Sequence, residues 1–120
     1  MADRVLFISW AEVVRGREEI ALENFNETMG LYGRMQQDGR IESFDVALLN
    51  PGTGTAGYIA VHGSPEQLAK IREDEDFRRT LYDAAMIVQD LKMADGYTNA
   101  GIAREMEMYA EAISKVPQGA

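Results

Sequence analysis

The period of the apolar positions changes several times along the chain, and each change marks a new element. Val5–Trp10 (VLFISW) is a compact apolar run with β-branched and aromatic members, which predicts a strand. Further on, Ile20, Leu22, Phe25, Met29, Tyr32 and Met35 recur mostly three or four residues apart, with Glu, Asn and Arg between them. That spacing predicts an amphipathic helix. Glu18 and Glu19 suit its start, where the helix dipole favours negative charge, and Gly39 suits its end. Gly30 and Gly33 each weaken the middle by about 1 kcal/mol relative to alanine, and fit a helix lying close to a sheet.

Ile41–Leu49 returns to strand character, as does Tyr58–His62. Ser64-Pro65-Glu66-Gln67 then reads as a helix start: a capping serine, proline at the first helical position, and glutamine closing a capping box. This helix carries Leu68 and Ile71, meets the acidic run EDED at 73–76, and restarts through Phe77, Leu81 and Tyr82. A last strand falls within 86–98, where Leu91 and Met93 alternate with Asp90 and Lys92. Ile102, Met106, Tyr109 and Ile113 make the stripe of a C-terminal helix over about residues 100–115, with a loose tail at Pro117 and Gly119. The order β-α-β-β-α-β plus one helix predicts an α+β, ferredoxin-like arrangement. No linker or repeat divides it, so one domain is expected over 1–120, with its core in about 5–98.

Between the second and third strands lies Gly52–Gly57, GTGTAG, with acidic residues about twenty positions on. A dinucleotide fingerprint of this form needs a helix after the third glycine, to meet the pyrophosphate. Here the β-rich YIAVH follows instead. A phosphate-binding Walker loop needs a Gly-Lys-Ser/Thr ending, and no lysine lies between Arg40 and Lys70. The two-strand setting of kinases would require His-Arg-Asp and Asp-Phe-Gly motifs that the chain lacks. The stretch reads as a hairpin loop turned at Asn50-Pro51-Gly52.

Charge and composition narrow the function. Twelve Lys and Arg against 20 Asp and Glu leave a net charge of -8, which disfavours nucleic acid and anionic membranes as partners. No cysteine is present, which removes disulfides and thiolate chemistry, and a single histidine leaves little for a zinc site. No apolar run approaches the ~20 residues of a membrane span, and the opening MADRVLFISW is too short for a secretory signal. The expectation is a cytoplasmic protein without a metal or cofactor.

In such a fold both helices cover one face of the sheet. VLFI at 5–8 and VALL at 46–49 are apolar at consecutive positions, so both faces of those strands call for burial. An exposed apolar sheet face exceeds the few hundred Å² that monomers tolerate, which predicts a homodimer, sheet against sheet. With VLFISW opening the chain and GSPEQLAKIREDEDFRR between strands three and four, the layout over about residues 5–98 resembles the dimeric α/β-barrel superfamily. The resemblance implies paired ferredoxin-like sheets, and it spans antibiotic-biosynthesis-type monooxygenases, stress-responsive barrel proteins and muconolactone-isomerase-like enzymes. No subfamily's catalytic residues match this chain position by position, so none is carried over. The helix at 100–115 is an addition, and a candidate dimer clasp.

Five residues are candidates for binding a ligand. His62, the one histidine, ends the third strand and is a natural general base near neutral pH. A lone, partly exposed strand-end histidine is the plainer reading. Tyr58 shares a strand face with His62, and Ser9 shares one with Val5 and Phe7, whereas Trp10 lies opposite Ser9 with Leu6 and Ile8. Trp10 and Tyr58 can line a site for a flat organic molecule, or simply pack. Asp45 is either a buried acid within an apolar strand or an outward-facing edge residue. The EDED run lacks the spaced oxygens and central glycine of a calcium loop and reads as a solvated helix junction; the methionines, Met106 among them, read as core or dimer packing. Two functions stay open: a module binding a small apolar or aromatic ligand between sheet and helices, and a cofactor-independent monooxygenase or isomerase/lyase acting on a small aromatic or polyketide-like substrate.

Overall fold

The sheet is assembled around its first strand. In the computed structural model, which describes residues 2–52, 54–117 and 119, β1 (Arg4–Trp10) pairs antiparallel with β3 (Gly57–Gly63) on one side and β4 (Lys92–Tyr97) on the other. β2 (Ser43–Leu48) pairs antiparallel with the outer side of β3, giving the order β2-β3-β1-β4. Residues opposite one another in register share a face, so Leu6 with Val61 and Ile8 with Ile59 point one way, and Val5 with His62 and Phe7 with Ala60 the other.

The helices cover the first of these faces. α1 (Glu18–Gln37), α2 (Pro65–Glu73) and α3 (Glu75–Ala85) bring Leu31, Tyr32, Met35, Leu68, Ile71 and Phe77 onto Leu6, Ile8, Ile59 and Val61. Ser64 caps α2 as its sequence predicts: its Oγ accepts from Gln67 N at 3.1 Å, and its own N–H donates to Gln67 Oε1 at 2.9 Å. The acidic run is a helix junction. Asp74 ends α2 and caps α3, its Oδ1 accepting from Phe77 N at 3.0 Å while Oδ2 lies 3.3 Å from Arg40 Nη1.

The inward face of α1 differs from the predicted stripe. Tyr32 and Met35 of that stripe are buried, but Ile20 and Leu22 are 55% and 63% exposed, and Thr28 and Leu31 are buried beside the first two. Ile20 stands in row with Asn24, Thr28 and Tyr32 but in the first turn of the helix, and Leu22 lies off that row. α4 (Ala100–Ser114) runs chiefly along β4 and leaves Ile102, Met106 and Tyr109 more than half exposed. Met106 is therefore not core within this chain. α4 is tied at its start: Thr98 N donates to Asp3 O at 3.0 Å, and Asn99 Nδ2 donates to Ala2 O. The radius of gyration, 17.1 Å, exceeds the ~14 Å of a compact chain of this length, in keeping with an outlying arm.

The glycine-rich stretch connects β2 to β3, with Gly52 and Gly54 at φ of 129° and 84°. Leu49 N donates to Ala56 O and Ala56 N to Trp10 O, closing the connection. The third glycine serves Trp10, its register partner: a Cβ on Gly57 would lie 2.6 Å from Trp10 Cζ2 and 2.9 Å from the Ala47 carbonyl oxygen. Gly57→Ala is expected to cost about 1–3 kcal/mol in urea denaturation, since neither the indole nor a sheet carbonyl yields cheaply. An unchanged midpoint would show that the indole is free to move.

Candidate ligand-binding site

Past Trp10 the chain leaves the sheet but stays ordered. Ala11 N donates to Gln89 O, Gln89 N to Glu12 O, and Val14 N to Ile87 O, and Val13 bridges Val88. This short second ladder draws the segment after α3 across the top of the sheet. Between it, α1 and the sheet's helical face lies a cavity of about 300 Å³. Ile8, Trp10 and Ile59 form its floor, Phe25 and Leu22 one side, and Leu81, Ile87 and Leu91 the other. Phe25 meets Trp10 edge to face, with ring centroids 6.3 Å apart.

The polar groups of the cavity lie mainly on α1. Asn24, Thr28 and Tyr32 follow at four-residue spacing and so form one row along the helix. Thr28 Oγ1 donates to the Asn24 carbonyl at 2.8 Å, within its own helix. Across the cavity, Thr80 Oγ1 likewise donates to Phe77 O at 2.8 Å. Asn24 Nδ2 is buried with no hydrogen-bond partner. An unmet donor of this kind costs about 1–3 kcal/mol, so its retention calls for an explanation. Burial pushes the Tyr32 phenol well above its ordinary value near 10, so it stays protonated at neutral pH. Glu18 is the one charged residue on the lining among the described residues.

Of the residues singled out in the sequence, Trp10 lines this cavity. The other four lie on the opposite face of the sheet. Ser9 and Tyr58 are register partners there, and Tyr58 stacks on Phe7 with centroids 5.2 Å apart. His62 Nε2 lies 2.9 Å from Asp45 Oδ2, a cross-strand pair on β3 and β2. The Asp45 side chain is 72% exposed, as an outward-facing residue of an edge strand. The structure thus gives His62 an acidic partner but separates both from Trp10 by the thickness of the sheet. The Asn24–Thr28–Tyr32 row escaped sequence reasoning, although its i, i+4, i+8 spacing was a signal for it. Among the described residues, no cluster of three or more His, Asp or Glu side chains is placed to hold a metal ion, and no helix is long and apolar enough to cross a membrane.

Four antiparallel strands in this order, with the helices on one side, decide the architecture. The fold is ferredoxin-like. A dimeric protein of unknown function from Bacteroides fragilis with this fold superposes at a TM-score of 0.60 with 13% identity, over 79% of this chain and 96% of its own. A Chloroflexus aurantiacus protein, provisionally named an antibiotic biosynthesis monooxygenase, gives 0.55 with 12% identity over 82% and 95%. The hydroxynitrile lyase of Passiflora edulis gives 0.61 with 9% identity over 83% and 97%. At these identities the likeness is one of ferredoxin-like fold. No protein-family model and no curated protein matches the sequence.

The Tyr32 phenol carries a pH signature. Its folded-state value is raised, so folding disfavours the phenolate, and the associated stability is complete below about pH 10 and falls as pH rises beyond it. Urea midpoints between pH 9 and 11 are expected to fall more steeply for the parent than for Tyr32→Phe. Parallel slopes would place the phenol in a solvated setting.

Proposed function

We propose that this protein binds a small, flat, largely apolar organic molecule in the cavity between α1, α3 and the sheet. The observation that carries the reading is the lining itself: an apolar floor and sides of about 300 Å³, with Trp10 and Phe25 edge to face and a few polar groups in one row. Apolar concavities with a handful of fixed polar groups are the usual form of small-molecule sites. Trp10 is the sole tryptophan, so its indole N–H resonance is a unique reporter. Titration with tetralin, a bicyclic hydrocarbon, is expected to shift that resonance saturably. Ala84→Phe, which places a ring in the cavity, should weaken binding at least tenfold. A resonance indifferent to tetralin in the parent would end this reading.

The second reading is a cofactor-independent enzyme, a monooxygenase or an isomerase/lyase. It draws on the names of two proteins of like fold and on the amide and hydroxyl row, which can orient a polar substituent. His62, the residue best suited to general-base work, is on the other face, so the enzymatic reading rests on groups of weaker basicity.

We propose further that two chains associate. Among the described residues no helix covers the sheet face bearing Val5, Phe7, Tyr58 and Ala60, and Phe7 remains 40% exposed. α4 adds Ile102, Met106, Tyr109 and Ile113 to the uncovered apolar surface. The dimeric Bacteroides fragilis protein of like fold supports self-association as the form of cover. Light scattering at micromolar concentration should give twice the 13.4 kDa chain mass. The Met106→Glu, Tyr109→Glu double variant should shift the distribution towards monomer. A parent that scatters as a monomer would refute the pairing.

A further inference from the structure

Resting on the ligand-binding reading above, we infer that the ligand is a neutral carbonyl compound and that Asn24 is the residue that recognises its oxygen. The Tyr32 phenol, the Trp10 indole, two threonines and Asn24 carry the side-chain donors of the lining, and among them the Asn24 amide is the one that is fully buried without a partner. Thr28 and Thr80 each donate to a carbonyl of their own helix, at 2.8 Å, and so present only lone pairs to the cavity. Asn24 Nδ2 has hydrogens and no acceptor, in a residue that lines the cavity wall. Asn24 stands between Ala21, Phe25, Ile87 and Val88 of this cavity and a polar groove on its other side that carries Arg17, Glu23, Glu27 and Asp83. Rotation about the terminal Cβ–Cγ bond is soft, so the amide can turn towards a bound oxygen without disturbing α1.

Charge selects among ligands with such an oxygen. The described lining holds no Lys, Arg or His, and its one charge is the carboxylate of Glu18. A carboxylate or phosphate entering the cavity would lose its water without gaining a cation, on a chain that already carries a net charge of -8. A protonated amine would find acceptors in Glu18 and the threonine hydroxyls but would leave the Asn24 donor without a partner. A ketone, quinone, lactone or amide on a ring system meets both conditions: its oxygen accepts from Asn24 and its apolar body packs on Trp10, Phe25 and Leu81. The inventory fixes the class and leaves the ring system open.

The test compares three probes of one shape: tetralin, 1-tetralone, and 1,2,3,4-tetrahydro-1-naphthoate. Isothermal titration of the parent is expected to rank 1-tetralone about tenfold tighter than tetralin, the worth of one good hydrogen bond in a dry site, with the naphthoate weakest. Asn24→Leu should bring the tetralone-to-tetralin ratio close to one. Asn24→Asp, which keeps the shape and removes the donor, should do the same, and guards against misfolding of the leucine variant. Equal affinity for tetralone and tetralin in the parent, or a ratio that survives both substitutions, would overturn the role of Asn24 while leaving the cavity as a ligand site. Tightest binding by the naphthoate would overturn the neutral class. If none of the three binds, the ligand-binding reading itself falls.

Discussion

The structure depends on β1 being buried between two strands while presenting two different faces. Its seven residues form ladders with β3 and β4 at once, which fixes the register of every side chain on either side. Because the side-chain period is two, a slip of one residue would send Leu6 and Ile8 to the uncovered face and Val5 and Phe7 into the helices. The helical layer and the cavity both follow from this. Trp10, the last residue of the strand, reaches the helical side because Leu6 and Ile8 do, and Gly57 is opposite it because β3 is held in the same register.

Two surfaces of unlike character result. The helical side is a core with a cavity at one end, where the chain after β1 and the chain after α3 form their own short ladder. The other side is a sheet with a stacked Phe7–Tyr58 pair and a His62–Asp45 pair, and no helix of the described residues over it. A chain that buried both sides would need another layer. α4 does not supply one within the chain, since it lies chiefly along β4 with its apolar stripe outward.

Local chemistry was the most legible part of the sequence. The Ser64–Gln67 capping box, the junction at Asp74 and the turn after Asn50 each depend on a few neighbouring residues, and each forms. The division of Val5–Trp10 between two faces was legible too, because a strand has only one period. The lining of the cavity was not. Asn24 and Thr28 occupy inward positions of α1, where polar residues interrupt the apolar row that continues to Tyr32. The His62–Asp45 contact joins residues 17 apart through the β2–β3 register, which no local pattern specifies.

The tether of α4 has a practical consequence. The carbonyls of Ala2 and Asp3 accept the hydrogen bonds that start this helix, and Gly101 sits so close to the Asp3 carbonyl that a Cβ would come within 2.5 Å of it. The direction in which the arm leaves the body is therefore set by the first residues of the chain rather than by α4 itself. A backbone change at Ala2 or Asp3 would thus redirect a helix that begins some hundred positions later, and the reach of the arm is inherited from the stretch just ahead of β1, at the far side of the sequence.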